Sequence, residues 1–159
     1  MITIVPIAPE HNAELFRIIR SSLEEFDIDL NGTVYVDPYL DNMYRHFSVP
    51  GKAYFIAMED GKVLGGSGIA PLDDIDKEVC ELQRMFVTKD ARGRRIGRLL
   101  MDTCLTKAKE MGFKKCYLET FDEMKDAIRL YENSGFEYLN AAMGNTGHFS
   151  CKTWMLRDL

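Results

Sequence analysis

Hydrophobic and polar positions along the chain switch between a two-residue and a three-to-four-residue period, and the switches mark the elements. Residues 3–7 are a short β-branched run that predicts a first strand. Pro9 suits the first turn of a helix, and Leu15, Phe16, Ile19, Leu23 and Phe26 then recur at helical spacing. Asn31-Gly32 marks a turn, and Pro38 is expected to open a short second helix that reaches about Phe47 before Pro50-Gly51 breaks it. Residues 53–58 predict a strand, Asp60-Gly61 a hairpin turn, and residues 63–70 the returning strand. Gly65, Gly66 and Gly68 are expected to weaken that strand. Pro71 and an acidic run (Asp73, Asp74, Asp76) follow, and residues 79–87 form the third strand of the group.

The clearest helix covers residues 96–111. Ile96, Leu99, Leu100, Cys104, Leu105 and Ala108 share one face, with arginines and lysines on the other, and Gly112 is a suitable terminator. Residues 115–120 predict a strand and residues 125–134 a helix ended by Gly135. Residues 136–139 and 148–156 predict the last two strands, separated by a Gly/Asn loop. Strand, helix, strand in the middle implies a parallel crossover, while the hairpins imply antiparallel pairing. The expected class is α/β or α+β, a mixed sheet with helices on both faces. No linker, repeat or low-complexity stretch divides the 159 residues, so one domain over 1–159 is expected.

A chain that is 46% hydrophobic and 28% charged is not collagenous, coiled-coil or disordered. Its net charge of −5 argues against general nucleic-acid binding. That average hides an asymmetry: residues 84–115 carry +7 and the remainder −12. A compact basic block in an acidic protein suggests a site for a small anion. The N-terminus has no basic n-region, and no apolar run approaches the ~20 residues of a membrane span, so a cytoplasmic protein without membrane contact is expected. Cys80, Cys104, Cys116 and Cys151 form no C-x-x-C pair, and His11, His46 and His148 are scattered. Reduced thiols and no metal site are expected.

At the centre of the basic block, Asp90-Ala91-Arg92-Gly93-Arg94-Arg95-Ile96-Gly97-Arg98 runs from a strand straight into a helix start. The first N–H groups of a helix lack internal partners and lie at its positive end, where phosphate oxygens bind. The glycines allow close backbone approach and the four arginines add charge. A solvated basic helix start is the plainer reading. The loop is neither a Walker A sequence nor a dinucleotide fingerprint. Taken alone it would also suit a nucleotide- or phosphosugar-binding domain.

Arg92-Gly93-Arg94-Arg95-Ile96-Gly97 resembles the R/Q-x-x-G-x-G/A pyrophosphate loop of the GCN5-related N-acetyltransferases (GNATs). The preceding Leu82-Gln83-Arg84-Met85-Phe86-Val87 extends the resemblance. So does Ala127-Ile128-Arg129-Leu130-Tyr131-Glu132-Asn133-Ser134-Gly135-Phe136, which is similar to the family's A-x-x-L-Y-x-x-x-G-F. Residues 81–139 are covered by motif and the rest by element order. Two departures stand out. Arg95 replaces the family's middle glycine, where a helical φ would keep the amide usable and send the side chain to solvent. Met124 stands where many members place an Asn that touches the cofactor.

The resemblance implies a mostly antiparallel twisted sheet of about seven strands with a central splayed parallel pair. It implies acetyl transfer from acetyl-CoA to a primary amine (small molecule, amino acid or peptide) by direct attack in a ternary complex. Main-chain groups of Met85, Phe86 and Val87 would bond the pantetheine as a strand edge does, and one N–H would polarise the thioester carbonyl. Arg92, Gly93, Arg94, Arg95, Ile96, Gly97 and Arg98, with Met124, would complete the cofactor site. Glu81 matches a general-base position and Tyr131 the general acid for the leaving thiolate. The acceptor site would lie between the first two helices and the last hairpin, where Asp27, Asp29, Asp37 and Asp41 with Tyr35 and Tyr39 suit a cationic amine. The loop from Gly144 to Phe149 looks like one in some bacterial members of unassigned substrate, and His148 is a candidate acceptor contact or alternative base. A catalytically weak acyl-CoA-binding or regulatory domain is the competing outcome. Exposed terminal strands would favour a homodimer.

Overall fold

Tight turns build the first half of the sheet in this computed structural model, which describes residues 1–73 and 76–159. β1 (Thr3–Pro6) leads through the turn Pro9–His11 into α1 (Asn12–Glu24). α2 (Met43–Phe47) follows, held to the start of α1 by two bonds: Asn12 Nδ2 donates to Asn42 Oδ1, and the Tyr44 amide donates to Asn12 Oδ1. β2 (Ala53–Glu59), β3 (Lys62–Pro71) and β4 (Val79–Val87) then add antiparallel beside β1. α3 (Ile96–Glu110) crosses back so that β5 (Lys115–Thr120) lies parallel to β4. α4 (Lys125–Asn133), β6 (Glu137–Leu139) and β7 (Thr153–Asp158) complete the chain. The sheet order is β1-β2-β3-β4-β5-β7-β6, seven strands with one parallel pair. Asp74 of the acidic run lies outside the described residues. Among the described residues no helix is long and apolar enough to cross a membrane.

Several expectations need correction. The second helix does not begin at Pro38: residues 30–42 form three single turns, Leu30–Gly32, Val34–Val36 and Leu40–Asn42. Asp29 and Thr33 accept from the amides of Asn31 and Tyr35, and such local side-chain bonds compete with a continuous helix. The last strand does not begin at His148, because the preceding loop bonds elsewhere: the Ser150 amide donates to Gly32 O and its hydroxyl to Asp29 O. β7 is interior, so β6 rather than the C-terminal strand forms that edge of the sheet. On α3, Leu99 is 44% exposed while Met101 is buried in its stead.

The glycines of β3 are required by close packing. A Cβ on Gly65 would lie 2.6 Å from Phe86 O, one on Gly66 2.6 Å from the Tyr54 hydroxyl oxygen, and one on Gly68 2.5 Å from Tyr54 Cδ2. The buried Tyr54 in turn donates its hydroxyl to Arg84 O at 2.8 Å. We predict that Gly65→Ala destabilises the fold by about 2 kcal/mol, because a backbone carbonyl cannot move aside as a side chain can. Urea denaturation checks this, and an unchanged midpoint contradicts it.

Across these glycines β4 carries one extra residue. Gly66 pairs with Phe86 but Gly68 pairs with Gln83, and Arg84 within the bulge has φ +51°. The bulge switches the side-chain alternation. Leu82 and Met85, three apart, both pack toward α3, while Phe86 packs with α1.

Candidate active site

β4 and β5 pair only over Val79–Glu81 and Lys115–Tyr117, although both strands continue. Beyond that point they part, with the bulge at Arg84 on one lip. The gap is a groove of about 860 Å³, lined from β4 by Leu82 and Arg84 to Val87, from β5 by Leu118 to Thr120, and by Phe121 just beyond it. Its other walls come from the ends of α1, α3 and α4. The volume is in the usual range for a small-molecule site.

One end of the groove meets the start of α3. Gly93 and Arg95 both have left-handed backbones (φ +80° and +63°), and Arg95 is the N-cap residue without a side-chain cap bond. Arg95 therefore takes the conformation that a glycine would, not a helical φ, at a cost of roughly 1–2 kcal/mol. Its side chain is exposed, as expected, and lines the groove. The uncapped α3 amides are left for a ligand. Gly97 sets α3 close to its neighbours, since a Cβ there would lie 3.1 Å from Leu130 Cδ2 and 3.4 Å from Met85 Cε.

The four arginines divide. Arg92 donates from Nε to Val87 O and bidentately to Glu25, at 3.0 and 3.1 Å. Arg98 pairs with Asp102 along the helix at 3.0 Å. Arg94 turns away to Glu59 at the end of β2 and does not line the groove. Arg92, Gly93, Arg95, Ile96, Gly97 and Arg98 all line it. Met124, the N-cap residue of α4, lines it as well but supplies no side-chain cap bond. α4 adds Lys125 and Arg129 to the groove wall. Lys125 lay outside the sequence motif, and Arg129 stood within it at a position that the motif leaves open.

At the point where the strands part, four ionisable groups gather on the face opposite α3. Glu81 is 6% exposed, and Gln83 Nε2 donates to its Oε1 at 2.6 Å. Burial, reinforced by Glu119, raises its pKa to about 7, and the Gln83 bond only partly offsets this. Glu119 stands two residues beyond Tyr117, the strand partner of Glu81, and burial raises its pKa too. Asp37 Oδ1 lies 2.7 Å from His148 Nε2, and its Oδ2 lies 3.3 Å from Arg84 Nη2. Burial opposes ionisation of Asp37, but His148 and then Arg84 hold it below its ordinary value. Burial likewise opposes protonation of His148, yet the bond to Asp37 raises its pKa.

Tyr131 is buried on the α3 side, lines the groove, and has its phenol pKa pushed up by desolvation. Its ring packs edge-on against Phe136. Glu81 and His148 do not line the groove themselves, but both interact with Glu119, which does, and Asp37 links His148 to the groove-lining Arg84. Tyr35 lies elsewhere: its ring sits 3.8 Å under the Arg20 guanidinium and its hydroxyl donates to Glu24. Tyr39 is exposed and stacks on His46. Neither lines the groove.

Six buried side-chain atoms among the described residues lack a hydrogen-bond partner. Three of them, Arg84 Nη1, Glu119 Oε1 and Thr120 Oγ1, belong to groove-lining residues. Unpartnered polar atoms on both parted strands, an uncapped helix start and a strand edge left unpaired beyond Glu81 fit a ligand with amides, a polar reacting end and phosphates. Acetyl-CoA has that chemistry.

Comparison with known proteins agrees with this geometry. Residues 14–136 match the acetyltransferase (GNAT) family model. The chain is 42% identical over 151 residues to the uncharacterized N-acetyltransferase YjgM of Escherichia coli (strain K12), covering 94% of this chain and 90% of that protein. An acetyltransferase of the GNAT family from Staphylococcus aureus Mu50 superposes with a TM-score of 0.82 at 23% identity, over 99% of both chains. yncA of Salmonella typhimurium, solved with its cofactor acetyl-CoA, superposes with a TM-score of 0.80 at 19% identity, over 99% of this chain and 94% of that one.

Proposed function

The chain belongs to the acetyltransferase (GNAT) family, and on that premise we propose that it transfers the acetyl group of acetyl-CoA to a primary amine, of a small molecule, an amino acid or a peptide, within a ternary complex. The observation that carries this reading is the parting of β4 and β5 beside the uncapped start of α3.

Acetyl-CoA supplies the activated acetyl group as a thioester. Beyond its pairing with β5, the β4 edge from Met85 to Val87 faces the groove and receives the pantetheine as an adjoining strand would. The amides of Arg95, Ile96 and Gly97, with Arg92 and Arg98, receive the pyrophosphate. An N–H on the β4 lip polarises the carbonyl. The acceptor enters from the face that carries Asp37, Glu81, Glu119 and His148, whose excess of carboxylates favours an ammonium group. Glu81, with Glu119 beside it, takes the proton that makes the amine nucleophilic. The amine nitrogen forms its bond to the carbonyl carbon, the C–S electrons pass to sulfur with a proton from Tyr131, and the surplus proton on nitrogen leaves through water, from which the Tyr131 phenolate regains its own.

Calorimetric titration with acetyl-CoA and, separately, ATP tests the ligand class. Acetyl-CoA is expected to bind more tightly. Equal or tighter binding of ATP returns the nucleotide reading. Tight acetyl-CoA binding with no turnover on any amine supports the regulatory one.

A further inference from the structure

Thr120 ends β5 at the floor of the groove and is 3% exposed. Its Oγ1 is buried without a hydrogen-bond partner. Its strand neighbour Thr153 donates its own hydroxyl to Asp122 and offers no relief. A valine would suit this buried strand position better and would spare a hydroxyl the loss of water. The other buried hydroxyls without partners, on Ser67 and Ser134, do not line the groove.

The side of the strand decides what this hydroxyl meets. Cys116, Leu118 and Thr120 alternate onto the same face of β5, and the first two pack in one cluster with Tyr131. Glu119 alternates to the opposite face, with Glu81 and the acceptor groups. Thr120 therefore stands on the leaving-group side of the groove.

We propose that the Thr120 hydroxyl is a hydrogen-bond donor to the coenzyme sulfur, beside the Tyr131 phenol. The inference rests on the acetyl-transfer reading above. As the C–S bond breaks, the hydroxyl bonds to the sulfur that gains the electron pair. Thr120 keeps its hydrogen, and Tyr131 supplies the transferred proton.

Direct titration of the purified protein with CoA and with desulfo-CoA, in which hydrogen replaces the thiol, reads this contact without turnover. Thr120→Val is expected to weaken CoA binding by about 3- to 10-fold, the loss of one hydrogen bond, and to leave desulfo-CoA binding unchanged. Thr120→Ser is expected to restore CoA binding. The unliganded Thr120→Val protein is expected to melt no lower than the wild type, because an unpartnered hydroxyl has been removed. Thr120→Ala gives the same selective loss if valine is not accommodated. Equal losses for both ligands, or no loss for either, overturn the role of Thr120. If the wild type binds neither ligand, the acetyl-transfer reading itself fails.

Discussion

Tyr131→Phe is expected to lower kcat by about 100-fold or more while acetyl-CoA affinity stays within about twofold. The substitution removes one oxygen and keeps the ring that packs edge-on against Phe136. Stability should therefore change little, and a loss of rate reports chemistry. The effect is large because a thiolate is expelled into a dry site and needs its proton there. Burial raises the Tyr131 pKa, which keeps the phenol protonated and able to donate throughout the neutral range. Steady-state release of CoA thiol, with calorimetry for affinity, separates kcat from binding. Unchanged kcat removes Tyr131 from the mechanism, and a matching loss of affinity makes it a packing residue.

Glu81→Gln is expected to lower kcat/KM by about 100-fold at pH 8 and to change the pH profile. In the wild type a base with a pKa of about 7 must be ionised to accept a proton. The rate should fall tenfold per pH unit below that value, and this limb should vanish in the variant. A limb that survives in Glu81→Gln and is lost in Glu119→Gln moves the proton acceptor to Glu119. Stability should respond in the opposite sense. The folded-state pKa of Glu81 is raised above its ordinary value near 4.5, so its contribution is full below that value and is lost as pH rises toward 7. Above pH 7 the buried carboxylate costs the fold up to about 3 kcal/mol. Glu81→Gln should then melt higher than the wild type at pH 8 and no higher at pH 4. A variant that is slower, more stable and insensitive to pH is the signature of a functional buried acid.

What the sequence made legible was local. The loop from Asp90 to Arg98 sits between a strand and a helix whose periods are plain, so its place at the helix start could be read directly. Tyr131 stood out only through the resemblance of its helix to the family's A-x-x-L-Y-x-x-x-G-F. The acidic turns before α2 were harder, because Asp29 and Thr33 close single turns that no apolar period reveals. Tyr35 and Tyr39 looked available for an acceptor, yet Arg20 and His46 occupy their rings.

The splayed strand pair came only from the family resemblance, and the side-chain contacts between strands left no local signal. Glu119 and Thr120 read only as strand residues until β5 parts from β4 and exposes both sides of the strand to the groove. Gly65 read as a weak point because the carbonyl of Phe86 that it admits belongs to another strand. Arg84 gave no sign that an extra residue in β4 would turn its backbone left-handed and set it against Asp37. The Asp37–His148 contact joins positions 111 residues apart, beyond the reach of any local pattern.

The central claim, acetyl transfer to an amine through this groove, is tested most directly by following CoA thiol release from acetyl-CoA across a panel of primary amines, amino acids and peptides. Amine-dependent release that Tyr131→Phe slows by about 100-fold is the result expected. Release that no amine accelerates, in a protein that binds acetyl-CoA, would contradict it.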